Sequence, residues 1–172
     1  NKMIDNLLTR YHSASDSFNL FIEQNSYKDT IKTVLNEISY MFENKNQKIT
    51  LKYLAQTEEF EYDKTEIKRV LLNLLQNASE YTQKNGEIKL IVEEDNSNII
   101  TIVQDNGYGI EKKDLEHIFD KNITLAKKYR KVGAGLGLYI CKTLISMHNG
   151  NISAKSEPTK GSTFTFILPK QH

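Results

Sequence analysis

Three glycines alternate in KVGAGLGLYICK (131–142): Gly133, Gly135 and Gly137 follow a basic run and lead into an amphipathic stretch. Backbone N–H groups of a glycine turn and of a helix N-terminus together attract an anion, so the chemistry this pattern offers is phosphate binding. Several unrelated nucleotide sites use that device. The P-loop pattern GxxxxGK[ST] does not occur in the chain. A dinucleotide fingerprint needs GxGxxG after a strand, with an acid about 20 residues further on. Glu157 stands near that distance, but the spacing is GxGxG and the preceding LAKKYRK is basic rather than a buried strand. The dinucleotide reading fails on those two requirements.

Other residues with chemical potential lie elsewhere. Asn73 and Asn77 are spaced i, i+4 and so share a helix face. Asp105 precedes Asn106-Gly107 at the end of an alternating run. Lys121, Lys127, Lys128, Arg130 and Lys131 form a basic run just before the glycine turn. His12, His117, His148 and His172 show no metal-ligand spacing, and Cys141 and Met147 read as helix core. The single cysteine excludes an internal disulfide and suits a reducing compartment.

These residues need elements to position them. The 172 residues are 38% hydrophobic and 26% charged, enough apolar content for a core and too little for a membrane protein. The formal net charge of +1 gives no electrostatic case for nucleic acid. The chain starts at Asn1 rather than Met and reads as a piece of something longer. Ile4, Leu7, Tyr11, Ala14, Phe18 and Phe21 alternate spacings of three and four, the seam of a bundle helix over residues 1–24. Ser26 with Asp29 signals an N-cap for a helix to about Phe42, with Ile31, Val34, Leu35, Ile38 and Met41 inward. KITLKYLA (48–55) alternates as a strand, and EFEYD is a short second one. Asp63 caps a helix to about Lys84, buried along Ile67, Val70, Leu71, Leu74, Leu75 and Ala78. GEIKLIVEED and NSNIITIVQD make an antiparallel hairpin, residues 111–120 a short helix and 121–132 a mobile loop. The glycine segment opens a helix to about His148 that Gly150 stops, and NISAKSE with STFTFILP closes the chain as a hairpin. Helices and mostly antiparallel strands are segregated, which predicts an α+β two-layer sandwich.

Read together and in order, NLLQNASEYT (73–82), DNGYGI (105–110), HIFD, GAGLGL and KGSTFTF (160–166) resemble the ATP-binding catalytic domain of sensor histidine kinases, in the GHKL superfamily. The resemblance covers roughly residues 26–170 and implies a Bergerat α/β sandwich, its mixed, mostly antiparallel sheet packed on helices, that holds Mg-ATP beneath a lid. It implies an ATP site of Asn73, Asn77, Tyr81, Asp105, Gly107, Gly109, Ile110, Lys128, Arg130, Gly133, Gly135, Leu136, Gly137, Leu138 and Thr163. Asn77 is the implied Mg²⁺ ligand, a hard neutral amide oxygen suited to an ion that keeps few protein ligands. Asp105 would accept adenine's exocyclic amine and repel guanine's oxygen, selecting ATP over GTP. Tyr81 lies either near base or ribose or simply in the core, and Thr163 either polarises the base or fixes Asp105. The basic lid residues would reach the β- and γ-phosphates, without a single one being singled out.

Two departures from the family pattern stand out. Glu80 occupies a place where the family commonly has Lys or Arg, and HIFD runs into Lys121-Asn122-Ile123 rather than a second Phe. Hydrolytic members of the superfamily place a Glu four residues before the metal-binding Asn; here that position is Asn73. A site without a water-orienting base favours another nucleophile, which in the family is a histidine of a neighbouring two-helix dimerisation domain. His12, followed by Ser13-Ala14-Ser15, does not fit the acceptor box, so no catalytic side chain is assigned. The resemblance thus divides the chain into 1–24, the second dimerisation helix and a linker, and 25–172, the catalytic domain. It implies phosphoryl transfer from ATP to histidine and on to an Asp of a response regulator. The implied setting is the cytoplasmic part of a membrane-anchored homodimer. The alternatives are a non-catalytic nucleotide-gated interaction module and an anti-sigma-type serine kinase of the same fold.

Overall fold

The computed structural model describes residues 19–121 and 136–171. The bundle seam from Ile4 to Phe18, His12, Lys127, Lys128, Arg130, Lys131, Gly133, Gly135 and His172 lie outside the described residues.

The described elements are β1 (Glu23–Ser26), α1 (Tyr27–Asn44), β2 (Lys48–Tyr53), β3 (Glu59–Tyr62), α2 (Lys64–Tyr81), β4 (Glu87–Glu94), β5 (Asn98–Asp105), α3 (Lys112–Leu115), α4 (Gly137–Met147), β6 (Asn151–Glu157) and β7 (Gly161–Pro169). Five strands form one sheet in the order β2-β4-β5-β7-β6, with β2 parallel to β4 and the other pairs antiparallel. Helix α2 packs against α1, α4 and β5, so the helices form the second layer of an α+β sandwich, as expected. The period of two sets the inner face: Ile88, Leu90 and Val92 of β4, Ile99 and Val103 of β5, and Phe164, Phe166 and Leu168 of β7 are buried. All six apolar residues expected on α2 are buried with them.

Local signals fix the helix starts. Ser26 Oγ accepts the Asp29 N–H, and Asp63 Oδ1 accepts from Thr65 and Glu66, satisfying first-turn donors of α1 and α2. Helix α2 stops at Tyr81, three residues before the expected end, because Thr82 is extended. Helix α4 ends through Asn149, whose φ of 58° is left-handed, so Gly150 is not the left-handed stop. Gly150 is needed for another reason: a Cβ there would stand 2.1 Å from the Ile167 carbonyl oxygen.

One element departs from the sequence reading. Glu23 and Gln24, read as helix, belong to β1, which pairs antiparallel with β3. Phe21, read as a seam residue, is 72% exposed, and its N–H donates to Asp63 Oδ2. The small β1–β3 sheet is fastened by aromatic packing, Tyr27 meeting Phe60 at 5.4 Å and Tyr62 at 5.6 Å between ring centroids. The Tyr27 hydroxyl bonds Thr101 Oγ1 of β5, and burial holds its pKa far above the ordinary phenol value. His148 is fully buried as a tie between helix ends: Nδ1 donates to the Leu144 carbonyl and Nε2 accepts the Asp63 N–H.

Candidate nucleotide site

The last turns of α2 supply one wall. Asn73, Asn77 and Tyr81 are all half-buried along one face, at the margin of the apolar stripe where their spacing places them. The Asn73 amide hydrogen-bonds the Cys141 thiol of α4. Its Oδ1 would lie 3.1 Å from a Cβ on Gly137, so the glycine lets the first turn of α4 approach this helix closely. Burial pushes the Cys141 thiol up to about 12, with the Asn73 bond opposing the shift. The Asn77 side chain, by contrast, makes no hydrogen bond to another side chain or to the backbone among the described residues. A half-buried amide of that kind fits a metal ligand in type: a neutral oxygen with its lone pairs uncommitted. No cluster of three or more His, Cys, Asp or Glu side chains suited to a metal exists among the described residues.

The floor is the loop after β5. Asp105 is 6% exposed, and burial raises its carboxyl pKa above the usual range, opposed by two backbone hydrogen bonds. Both bonds reach Oδ1: the Gly107 N–H at 2.8 Å and the Ser162 N–H at 3.2 Å. Oδ2 takes neither, so the carboxylate is fixed by one oxygen and can accept a donor with the other. Three neighbours lock the loop. Tyr108 N–H donates to the Tyr81 carbonyl, Asn106 exchanges two bonds with the Glu87 backbone, and Thr159 N–H donates to the Tyr108 carbonyl. Gly109, with φ of 69°, passes within contact of the Glu157 carbonyl, where a Cβ would stand 2.0 Å away.

Two residues of the closing hairpin that sequence reasoning missed belong to this floor. Ser156 Oγ accepts the Ile110 N–H, donates to the Gly161 carbonyl and meets Ser162 Oγ at 2.9 Å. Ser162 is thus the hairpin residue whose N–H reaches Asp105. Thr163 pairs with Gln104 and shares the outer face of the sheet with it, because one residue's offset in a strand reverses the side chain. The available signal was the alternation itself: Ser162, Phe164, Phe166 and Leu168 form the buried set.

The remaining expected residues divide by position. Leu136 is buried in the core, and Ile110 and Leu138 pack against it. Gly137 is the first residue of α4, and the residue before it, Leu136, provides no side-chain cap. A helix start without a side-chain cap from its N-cap residue suits an anion in chemical type. Ile118 of the HIFD segment is buried, and Phe119 meets Phe164 edge-on at 6.4 Å between centroids. Lys121 is exposed at the boundary of the described residues. The arrangement thus sets a fixed acidic acceptor at one end and the Asn77 amide, with Asn73 tied to Cys141, near the start of α4 at the other.

Comparison with known proteins agrees with this geometry. Residues 62–172 match the family model described as histidine kinase-, DNA gyrase B-, and HSP90-like ATPase. Sensor protein SrrB of Staphylococcus aureus is 42% identical over 111 residues, a match spanning 63% of this chain and 19% of SrrB. The catalytic domain of histidine kinase ThkA superposes with a TM-score of 0.78 at 29% identity, covering 89% of this chain and all of that one. ThkA in complex with the response regulator protein TrrA gives a TM-score of 0.79 at 26% identity over 98% of this chain and 48% of that one. The chain accordingly belongs to the histidine kinase-, gyrase B- and HSP90-like ATPase family, with the α+β fold of a sensor histidine kinase's ATP-binding domain.

Proposed function

We propose that this chain binds Mg-ATP and delivers its γ-phosphate to a histidine on its own dimerisation domain, for relay to an aspartate of a response regulator. The observation that carries the reading is Asp105, a buried carboxylate whose Oδ1 is held by two backbone N–H groups while Oδ2 can accept. In this reading Oδ2 accepts the exocyclic amine of adenine, and the Gly107 and Ser162 N–H bonds keep the carboxylate oriented for it. Tyr81, Gly107, Gly109, Ile110 and Leu138 line the base and ribose. The start of α4 at Leu136 and Gly137, with Gly133, Gly135, Lys128 and Arg130 before it, receives the phosphates. Asn77 would hold Mg²⁺, which when bound would neutralise phosphate charge, and Asn73 lies one turn before it on the same face.

Position 73 carries an amide rather than a carboxylate, and the Asn73 side chain is engaged with Cys141. A neutral amide cannot take a proton from water at ordinary pH, so the site is suited to positioning ATP for an external nucleophile. Residues 1–24 are proposed as the end of the dimerisation domain and 25–172 as the catalytic domain of a homodimeric, membrane-anchored sensor, on the cytoplasmic side. Among the described residues no helix is long and apolar enough to cross a membrane. Since the match spans only about a fifth of SrrB, the activity of the whole protein is part of this proposal.

The test is nucleotide calorimetry with and without Mg²⁺ on the parent chain and on Asn77→Ala. The parent should bind ATP and ADP but not GTP, and the Asn77 variant should lose roughly tenfold or more of the Mg²⁺-dependent affinity, as for a lost charged contact. Unchanged affinity would remove Asn77 from the site. With γ-labelled ATP, the chain should hold label without rapid release and transfer it only when a dimerisation helix carrying the acceptor histidine is supplied. Rapid phosphate release would favour a hydrolytic ATPase instead.

A further inference from the structure

Helix α2 ends against the connection between α1 and β2. Its last turn contains no basic residue, yet its final carbonyls are not left to water. The Gln47 amide, 7% exposed, donates to the carbonyls of Ser79 at 2.9 Å, Thr82 at 2.8 Å and Gln83 at 3.2 Å. Its Oε1 accepts the Ser79 hydroxyl at 2.7 Å. Lys45 Nζ reaches the carbonyls of Ser79, Glu80 and Thr82 from the same connection. The backbone continues the clamp, Asn85 N–H donating to the Lys45 carbonyl and Lys48 N–H to that of Gly86. The C-terminal end of α2 is thus capped by a segment more than thirty residues earlier in the chain, and a cation stands at the negative end of its dipole.

That end bears on the site from its other side. The Tyr81 carbonyl accepts Tyr108 N–H at 3.0 Å, and Asn77 lies one turn back on the same helix. Asp105 belongs to a different element, the end of β5, and its carboxylate is held by the Ser162 N–H of β7. The base acceptor and the metal amide therefore sit on separate elements, and the placement of the α2 end sets the distance between them. We infer that Gln47, assisted by Lys45, is a positioning residue for nucleotide binding, holding Asn77 in register with Asp105 so that base and metal-bound phosphates are engaged at once. This rests on the nucleotide-site reading above.

A positioning role has a signature that a general structural role lacks. If the clamp is loosened, α2 shifts while Asp105 stays with the sheet, so the Mg²⁺-dependent gain in affinity falls and base recognition does not. ADP affinity with and without Mg²⁺, and the ATP-to-GTP preference, are measured by calorimetry on the 172-residue chain and on Gln47→Met, Lys45→Met and Gln47→Met with Asn77→Ala. Gln47→Met should lose about fivefold or more of the Mg²⁺ gain with Mg²⁺-free ADP affinity kept within about twofold, in line with the loss of a few net hydrogen bonds. Lys45→Met should lose less, in the same sense, and decides the matter if Gln47→Met does not fold. In the double variant the Gln47 change should add nothing to the Asn77 loss, since both act on one contact. An intact Mg²⁺ gain in both single variants, or an equal loss with and without Mg²⁺, overturns the inference. A parent chain that binds no nucleotide overturns the reading of the site itself.

Discussion

The two ends of the site are built to different tolerances. At the floor, main chain meets main chain: a Cβ on Gly107 would stand 2.1 Å from the Tyr81 carbonyl oxygen, and one on Gly161 2.0 Å from that of Asp105. At the α2–α4 contact, a Cβ on Gly137 would meet, among the described residues, the Asn73 side chain at 3.1 Å. A carbonyl in a helix end or ladder cannot move without taking its element along, whereas an amide side chain can turn. The end proposed to recognise a base is thus fixed in backbone, and the end proposed to handle mobile charge is set in side chains on two helix faces. Recognition of an unchanging group tolerates rigidity; accommodating phosphates and a metal requires some give.

Substituting the two glycines is the largest way to break that contrast. Gly107→Ala should cost about 1–3 kcal/mol of stability through overpacking and abolish measurable ATP binding. Gly137→Ala, at a helical position with a yielding neighbour, should stay within about 1 kcal/mol of the parent or gain stability. Urea unfolding and ADP calorimetry on the pair check this, and equal damage in both would erase the distinction.

Asp105→Asn sharpens it, because here binding and stability should move in opposite directions. Burial raises the Asp105 pKa in the folded chain, so the folded state holds this proton more tightly than the unfolded one. The associated stability is fully present below the ordinary carboxylate pKa and lost as pH rises through the folded value. At neutral pH the Asn variant should be at least as stable as the parent, and the two should converge in acid. Its ATP affinity should fall by about tenfold or more, as expected when a hydrogen bond to a charged group is lost. A parent more stable than the variant at neutral pH would reverse the sign and refute the buried-charge account.

The smallest effect concerns neighbours in β7. Ser162→Ala removes the hydroxyl contact with Ser156 but keeps the N–H that holds Asp105, so a few-fold loss of ATP affinity is expected, about 1 kcal/mol. Thr163→Ala, on the outer face, should leave affinity unchanged. The reverse order in calorimetry would assign the contact to Thr163 rather than Ser162.

These residues also mark where the sequence was readable. Signals carried by a residue and its near neighbours came through: the Asp63 cap, the α2 stripe, the β4–β5 hairpin and the Asn73–Asn77 face all depend on local period or capping chemistry. What escaped depends on a distant partner. EQNS (23–26) carries no strand alternation and becomes β1 because β3 lies beside it. Gln47 and Ser156 have no local mark at all, since their partners are 32 to 36 and 46 residues away for the bonds to the α2 end and to Ile110. Thr163 and Ser162 differ by a single position, which in a strand is the difference between one face and the other, and the glycine-serine-threonine run carries no mark of which one faces Asp105.

Cys141 gives the chain a clock. It is the sole cysteine, fully buried between the Val70 carbonyl and Asn73, with its thiol pushed up to about 12. Alkylating reagents attack the thiolate, so this sulfur is expected to react only when α4 parts from α2. The labelling rate therefore counts openings of the wall that holds Asn73, at equilibrium with the closed form. Any molecule that bridges the two helices slows the count in proportion to its occupancy. The wall of the proposed phosphate end thereby reports its own ligation through reaction kinetics, without an added probe.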